Sequence, residues 1–157
     1  MEEEKKAVKK GEEMKVVLCG SLNFAEEMKK IKKNLTARGH EVTLPPSFKD
    51  FSINSFDDAD NLKKDPEFYF KVKPTYMRNY FKIIEENDAI LVVNIEKHDI
   101  RNYIGGNTFA EIMVAFHLNK KIFLLNPIPK DEKVSVMVDE LKAVDPIIIN
   151  GNLDLIR

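Results

Sequence analysis

The Glu111 carboxylate has the surroundings best suited to chemistry in this sequence. It ends the run Tyr103-Ile-Gly-Gly-Asn-Thr-Phe-Ala-Glu111, between an apolar stretch, Ala89 to Ile95, and an amphipathic one, Thr108 to Leu118. Two adjacent glycines let a backbone turn sharply and approach a ligand closely. Asn107 or Thr108 is expected to cap the helix that follows. Glu111 then falls about one turn into that helix, with its carboxylate facing back over Gly105 and Gly106. In that position a carboxylate can attack a carbon centre as a nucleophile or accept a hydrogen bond from a sugar.

Two further loops hold polar groups that could share a site with it. Gly20-Ser21-Leu22-Asn23 follows a short apolar run and precedes a helical one. The free N–H groups at such a helix start favour a phosphate or a sugar hydroxyl. The segment is neither a G-x-G-x-x-G fingerprint nor a P-loop, so a dinucleotide or a nucleoside triphosphate is not indicated. The loop from Asn94 to Asn107 carries His98 and Asp99, which offer a proton donor or a ribose contact. His40 and His117 lack neighbours at metal-ligand spacing, and no metal site is expected. Cys19 is the only cysteine, which excludes an internal disulfide and suits a reducing, cytoplasmic compartment. It lies in a predicted buried strand and is expected to be inert.

These loops must be positioned by regular elements, and the hydropathy pattern supplies them. Lys15 to Gly20 reads as a buried strand, and Phe24, Met28, Ile31 and Leu35 follow at helical spacing. Gly39 is expected to end that helix. Glu41 to Leu44 reads as a second strand, stopped by Pro45-Pro46. Residues 45–66 show no clear periodicity and are expected to be an irregular excursion or lid whose phenylalanines anchor in the core. Phe68 to Glu86 is predicted as a long helix kinked or split at Pro74. Strand Ala89 to Ile95, helix 108–118, strand Lys121 to Leu125, helix Val134 to Val144 and strand Pro146 to Ile149 complete the chain. Strands alternating with helices predict an α/β, single-domain, flavodoxin/Rossmann-like fold: a five-stranded parallel sheet with helices on both faces. Open sheets of this kind bind ligands beyond the carboxyl ends of their strands, where all three loops fall.

Composition narrows the partners. The chain has 157 residues, 43% of them hydrophobic, which suits one globular domain. With 25 basic and 26 acidic residues the net charge is −1, and no overall field favours nucleic acid or an anionic membrane. No apolar run reaches the ~18–20 residues that span a bilayer. Residues 1–13 carry charges of both signs and no apolar core. They are expected to form a disordered tail rather than a secretory leader, with the domain occupying 14–157.

Leu18-Cys19-Gly20-Ser21, Glu86-Asn87-Asp88-Ala-Ile-Leu-Val-Val93, and Gly106 to Glu111 with Ala115 and Lys120-Lys-Ile-Phe123 resemble the nucleoside 2-deoxyribosyltransferase-like superfamily. That group includes deoxynucleoside 5′-monophosphate N-glycosidases. The resemblance spans roughly residues 14–126. It implies a flavodoxin-like fold, a homodimer or larger homo-oligomer, and cofactor-free transferase or hydrolase chemistry at an N-glycosidic bond. Glu111 matches the nucleophile. Gly20 and Ser21 match the loop on the sugar or its phosphate. With the loop reading above, Gly20, Ser21, Asn23, Asn94 and Gly105 to Thr108 are expected to hold the sugar or its phosphate, and Asp99 or His98 to donate a proton to the leaving base. Val17 and Tyr80 stand where family members carry a Tyr and an Asp. Gly105 to Glu111 is also similar to the P-G-G-x-G-T-x-x-E signature of phosphoribohydrolases, without its Pro and third Gly. Attack requires an ionised carboxylate, so Glu111 is expected outside any dry pocket. The competing reading is a non-catalytic nucleotide- or nucleotide-sugar-binding module in which Glu111 holds a ribose.

Overall fold

The computed structural model describes residues 13–157, so the predicted tail lies outside the described residues apart from Glu13. Five strands form one parallel sheet: β1 (Lys15–Cys19), β2 (Glu41–Thr43), β3 (Ala89–Val92), β4 (Lys121–Leu124) and β5 (Ile147–Ile148). Their spatial order is β2-β1-β3-β4-β5, with Cys19 opposite Val92 at the carboxyl ends of β1 and β3. The chain therefore winds outward from β1 to β2 and returns to the other side of β1 as β3. That reversal is the topological switch point, where the connections leaving β1 and β3 part and open a crevice.

The side chains of each strand alternate between the two faces. Val16, Leu18, Ala89, Leu91 and Phe123 pack against α1 (Ala25–Ala37), which contributes Met28, Ile31 and Leu35. Val17, Cys19, Ile90, Val92, Ile122 and Leu124 face the opposite layer. There Tyr80 and Ile84 of one helix, Ile112 and Ala115 of another, and Leu141 of a third complete the core. Burial on both faces explains why the inner strands read as unbroken apolar runs.

Residues 45–66 depart from the predicted irregular excursion. They form α2 (Ser47–Asp50) and α3 (Phe56–Lys63). Ser55 caps α3 by accepting from the Asp58 N–H, while the Asp58 carboxylate accepts from the Ser55 N–H. Helices this short are set by such caps and by anchors like Phe48 and Ile53, which are buried, rather than by periodicity. Phe48 and Ile53 bear out core anchoring, whereas Phe56 remains 41% exposed.

The predicted long helix at 68–86 is split into a π-helical turn, Phe68–Val72, and α4 (Lys73–Glu85). Pro74 lies in the first turn of α4, where its missing N–H breaks no hydrogen bond, so it starts the helix instead of kinking it. The glycine loop leads into α5 (Gly106–His117), two residues earlier than predicted. Near the chain end a 3-10 segment, Glu132–Met137, precedes α6 (Val138–Val144) where one helix was expected. β3 ends at Val92, short of the predicted Ile95, and Asn94 just beyond it turns its side chain across to the next loop, as described below.

Candidate functional site

The start of α5 is built around close approaches. Gly105 is the N-cap residue and no side chain caps the helix, so the expected cap by Asn107 or Thr108 is not made. A β-carbon on Gly105 would stand 3.0 Å from the Tyr103 hydroxyl, so any larger residue there must displace the end of the Tyr103 side chain. Gly20 is more tightly constrained, since a β-carbon would lie 3.0 Å from the Val93 carbonyl oxygen, part of the backbone. Gly106 has nothing within 4 Å of that position. Its backbone borders open space, and the first-turn N–H groups of α5 have no side-chain acceptor.

That space is a cavity of about 220 Å³ beyond the carboxyl ends of β1 and β3. Gly20 and Ser21 wall one side, Gly105 to Thr108 and Glu111 a second, and Pro45 to Ser47 a third. The sequence-predicted groups Gly20, Ser21, Gly105, Gly106, Asn107, Thr108 and Glu111 thus meet at one surface.

Glu111 precedes Ile112, which points into the core, and the helical turn carries the carboxylate under the end of β1. It is only 4% exposed, contrary to the expectation that it would avoid a dry pocket. The alternation that buries Val17 on this face also brings Cys19 there, close to the Glu111 carboxylate. Asn107 Nδ2 donates to Glu111 Oε2 at 3.4 Å. Burial pushes the Glu111 carboxyl from 4.5 up to about 8, against the opposing pull of the thiol, the Asn107 amide and the Lys73 ammonium. Burial also raises Cys19 well above the usual thiol range, and the neighbouring Glu111 raises it further. Cys19 is thus an unreactive, protonated thiol.

Tyr80 reaches the same place from α4. Its buried hydroxyl donates to the Leu18 carbonyl oxygen. Burial, with Cys19 and Glu111 close by, holds this phenol well above its ordinary value. The neutral Tyr80 lets a neutral Glu111 share a compact pocket in which a second carboxylate would repel an ionised one.

Asn94, His98 and Asp99 are placed elsewhere. Asn94 is fully buried, with Nδ2 donating to the Asn126 and Pro127 carbonyls at 2.8 and 3.1 Å. Its Oδ1 accepts from the Asn126 N–H at 2.9 Å, so its polar atoms fasten the loop after β4 to the end of β3. His98 and Asp99 occupy the tip of a tight turn closed by paired backbone hydrogen bonds between Lys97 and Ile100. Both have positive φ, 54° and 60°, and both are exposed outside the cavity lining. A two-residue turn with both φ values positive folds the strand back on itself and directs its tip to solvent.

That turn sends the residue before it inward. Lys97 is 8% exposed, lies over the Tyr103 ring at 5.1 Å, and donates to Ser21 Oγ at 2.8 Å. Lys63, at the end of α3, donates to Asn23 Oδ1. Asn23 is buried beside the cavity and its Nδ2 donates to the Phe56 carbonyl and to Asp60, each at 2.8 Å. Lys63, Lys73 and Lys97 all line the cavity, and sequence reading found none of them. The available signal was the spacing Lys97-His98-Asp99-Ile100, in which a hairpin turn at His98-Asp99 turns Lys97 and Ile100 the same way.

Among the described residues no group of His, Cys, Asp and Glu could hold a metal ion, and no helix is long and apolar enough to cross a membrane. The chain matches no protein-family model and no curated protein sequence.

Proposed function

We propose that the cavity takes a (deoxy)nucleoside or its 5′-monophosphate and that Glu111 cleaves or exchanges its N-glycosidic bond. The observation that carries this reading is a buried carboxylate with no cationic ion-pair partner among the described residues, aimed into a switch-point cavity beside an uncapped helix N-terminus. In the ionised form Glu111 attacks C1′ and forms a C1′–O bond as the C1′–N bond breaks. The base departs with the bonding pair and takes up a proton. Water or a second base then displaces the carboxylate, giving hydrolysis or transfer, so one hard displacement becomes two easier ones. Asn107 holds one carboxylate oxygen, and the burial that keeps Glu111 protonated also leaves its anion poorly solvated and reactive.

With a carboxyl at about 8, about a tenth of Glu111 is ionised at pH 7. At saturating substrate, base release should therefore rise with pH and level off once Glu111 is ionised, the ordering expected of a nucleophile that must lose a proton. The high carboxyl value also favours a second reading, a binding module whose neutral Glu111 donates a hydrogen bond to a sugar or base. A panel of nucleosides and 5′-monophosphates, assayed chromatographically for free or exchanged base, separates the two. Base release abolished by Glu111→Ala supports the enzyme. Binding without release, weakened by the same substitution by about 1–3 kcal/mol, supports the module.

Self-association is part of the same proposal. Phe116 on α5 is 52% exposed and offers an apolar contact for a second copy. A single monomer mass by light scattering at assay concentration would remove that part.

A further inference from the structure

Lys63 and Lys97 bring two cations together in a site with little to balance them. Their amino groups reach the same polar pair: Lys97 bonds Ser21 Oγ, Lys63 bonds Asn23 Oδ1, and Ser21 Oγ donates to Asn23 Oδ1 at 3.0 Å. The two amino groups are thus gathered around one Ser21–Asn23 pair. Among the described residues neither is in an ion pair with a carboxylate. Lys97 and Asn23 are buried and Lys63 is half-buried, so solvent screens the pair poorly.

Around Lys63 stand Lys97 from the turn after β3, Lys73 from the start of α4 and Asp60 from α3. Asp60 is the one carboxylate among them, and it already accepts from Asn23. Lys63 is accordingly lowered to about 7, first by burial and then by Lys97. The arrangement is poised for an anion between them. A carboxylate needs only one ammonium, whereas two ammonium groups and a serine hydroxyl match a group with two charges and three outward oxygens.

We propose that Lys63, Lys97 and Ser21 form a receptor for a phosphate monoester dianion. Binding it draws a proton from solvent onto Lys63. The receptor itself is independent of the chemistry at Glu111. Assigning it to the 5′-phosphate of the substrate rests on the N-glycoside reading, and makes nucleoside 5′-monophosphates rather than free nucleosides the substrate class. The dianion takes the place of the absent counterion, so both lysines are charged in the complex. Dianion affinity therefore falls as pH rises above the free Lys63 value.

The test is titration calorimetry at pH 7.5 with ribose 5-phosphate, in two phosphate-free buffers of different ionisation enthalpy, with ribose as the uncharged control. The expected result is binding of ribose 5-phosphate but not ribose, with uptake of between half and one proton, since most Lys63 is neutral at that pH. Lys97→Met should weaken binding at least tenfold. Lys63→Arg, which keeps a permanent charge, should retain binding and lose the proton uptake. Should Lys97→Met fail to fold, Lys63→Arg alone decides the matter. No binding of ribose 5-phosphate, binding without proton uptake by the native protein, or uptake retained in Lys63→Arg would each overturn the proposal.

Glu111→Gln separates the two readings. Ribose 5-phosphate binding that survives this substitution, with no base released from any substrate by the native protein, leaves the receptor standing and removes the N-glycoside chemistry. Base release from free nucleosides with no ribose 5-phosphate binding does the reverse.

Discussion

Replacing Glu111 by Gln should stabilise the protein, and the gain should grow with pH. Glutamine keeps the shape and an accepting carbonyl oxygen, but has no proton to lose. In the native chain the folded carboxyl sits at about 8 against an ordinary 4.5. Below about pH 4.5 both folded and unfolded states hold the proton, so its stabilising share is complete. Between 4.5 and about 8 the unfolded state ionises first and unfolding releases a proton, so folding stability falls as pH rises. Above about 8 both states are ionised and the loss is complete. At ~1.4 kcal/mol per tenfold, the full loss is roughly 5 kcal/mol, an upper figure because side chains and water adjust around a buried charge. A domain of ordinary stability has about 5–15 kcal/mol in total, so the change is large. Urea unfolding by circular dichroism, from pH 4.5 to 9 on both proteins, isolates the effect because every other titration is common to the pair. The difference should widen by a few kcal/mol and then flatten near pH 8. A pH-independent difference, or one that narrows, would refute the burial argument and with it the predicted rate profile.

Two other perturbations test how the site is framed. Asn94→Ala removes the acceptor for the Asn126 N–H and the donor to two carbonyls in a fully buried place, and should cost roughly 3 kcal/mol in urea unfolding. Its effect on ligand affinity measured on the folded protein should stay within twofold, because its polar atoms are spent on the β4 loop. The glycines should divide: Gly20→Ala forces the Val93 carbonyl to move and should destabilise by about 1–3 kcal/mol, while Gly106→Ala should leave stability unchanged or raise it by up to ~1 kcal/mol. Because Gly106 lines the cavity, the same Gly106→Ala protein should bind ligand more weakly by calorimetry.

Most of the architecture was legible because it depends on burial. The runs Val16–Cys19 and Ala89–Val92 are apolar since both faces of an inner parallel strand are covered, and they gave the strands directly. Met28, Ile31 and Leu35 lie on one face of α1, and Gly39 closes it with φ of 97°. Where local chemistry governs, the pattern was silent. α3 depends on a Ser55–Asp58 capping pair and a few anchors, too short a segment to build a 3.6-residue period. Pro74 shows a related ambiguity: the same residue breaks a helix in its interior and starts one in its first turn, and only the π-helical turn before it decides which.

The site divides along the same line. Topology brings Gly20, Ser21, Gly105, Gly106 and Glu111 together, because any doubly wound sheet gathers the loops at its switch point, and paired glycines ahead of a first-turn Glu marked that place in the sequence. What topology does not specify is which way a loop residue faces. His98 and Asp99 stand out in composition, yet two positive φ angles turn them to solvent and turn Lys97 in. Lys63 and Lys97 are ordinary members of a lysine-rich sequence until α3 and the turn after β3 place both against Ser21 and Asn23. The consequence is electrostatic. A cavity predicted to present an ionised carboxylate instead holds a protonated one at neutral pH, together with three lysines. Such a cavity attracts an anion before it presents a nucleophile. A bound dianion then raises the cost of ionising Glu111, while positive charge developing at C1′ lowers it. The carboxylate is therefore drawn out by the reacting sugar rather than by the empty site. Hence the pH midpoint for turnover of a bound monophosphate should lie away from the midpoint for stability of the free protein. If the two coincide, Glu111 ionises without regard to the ligand, and the coupling between the anion receptor and the carboxylate is absent.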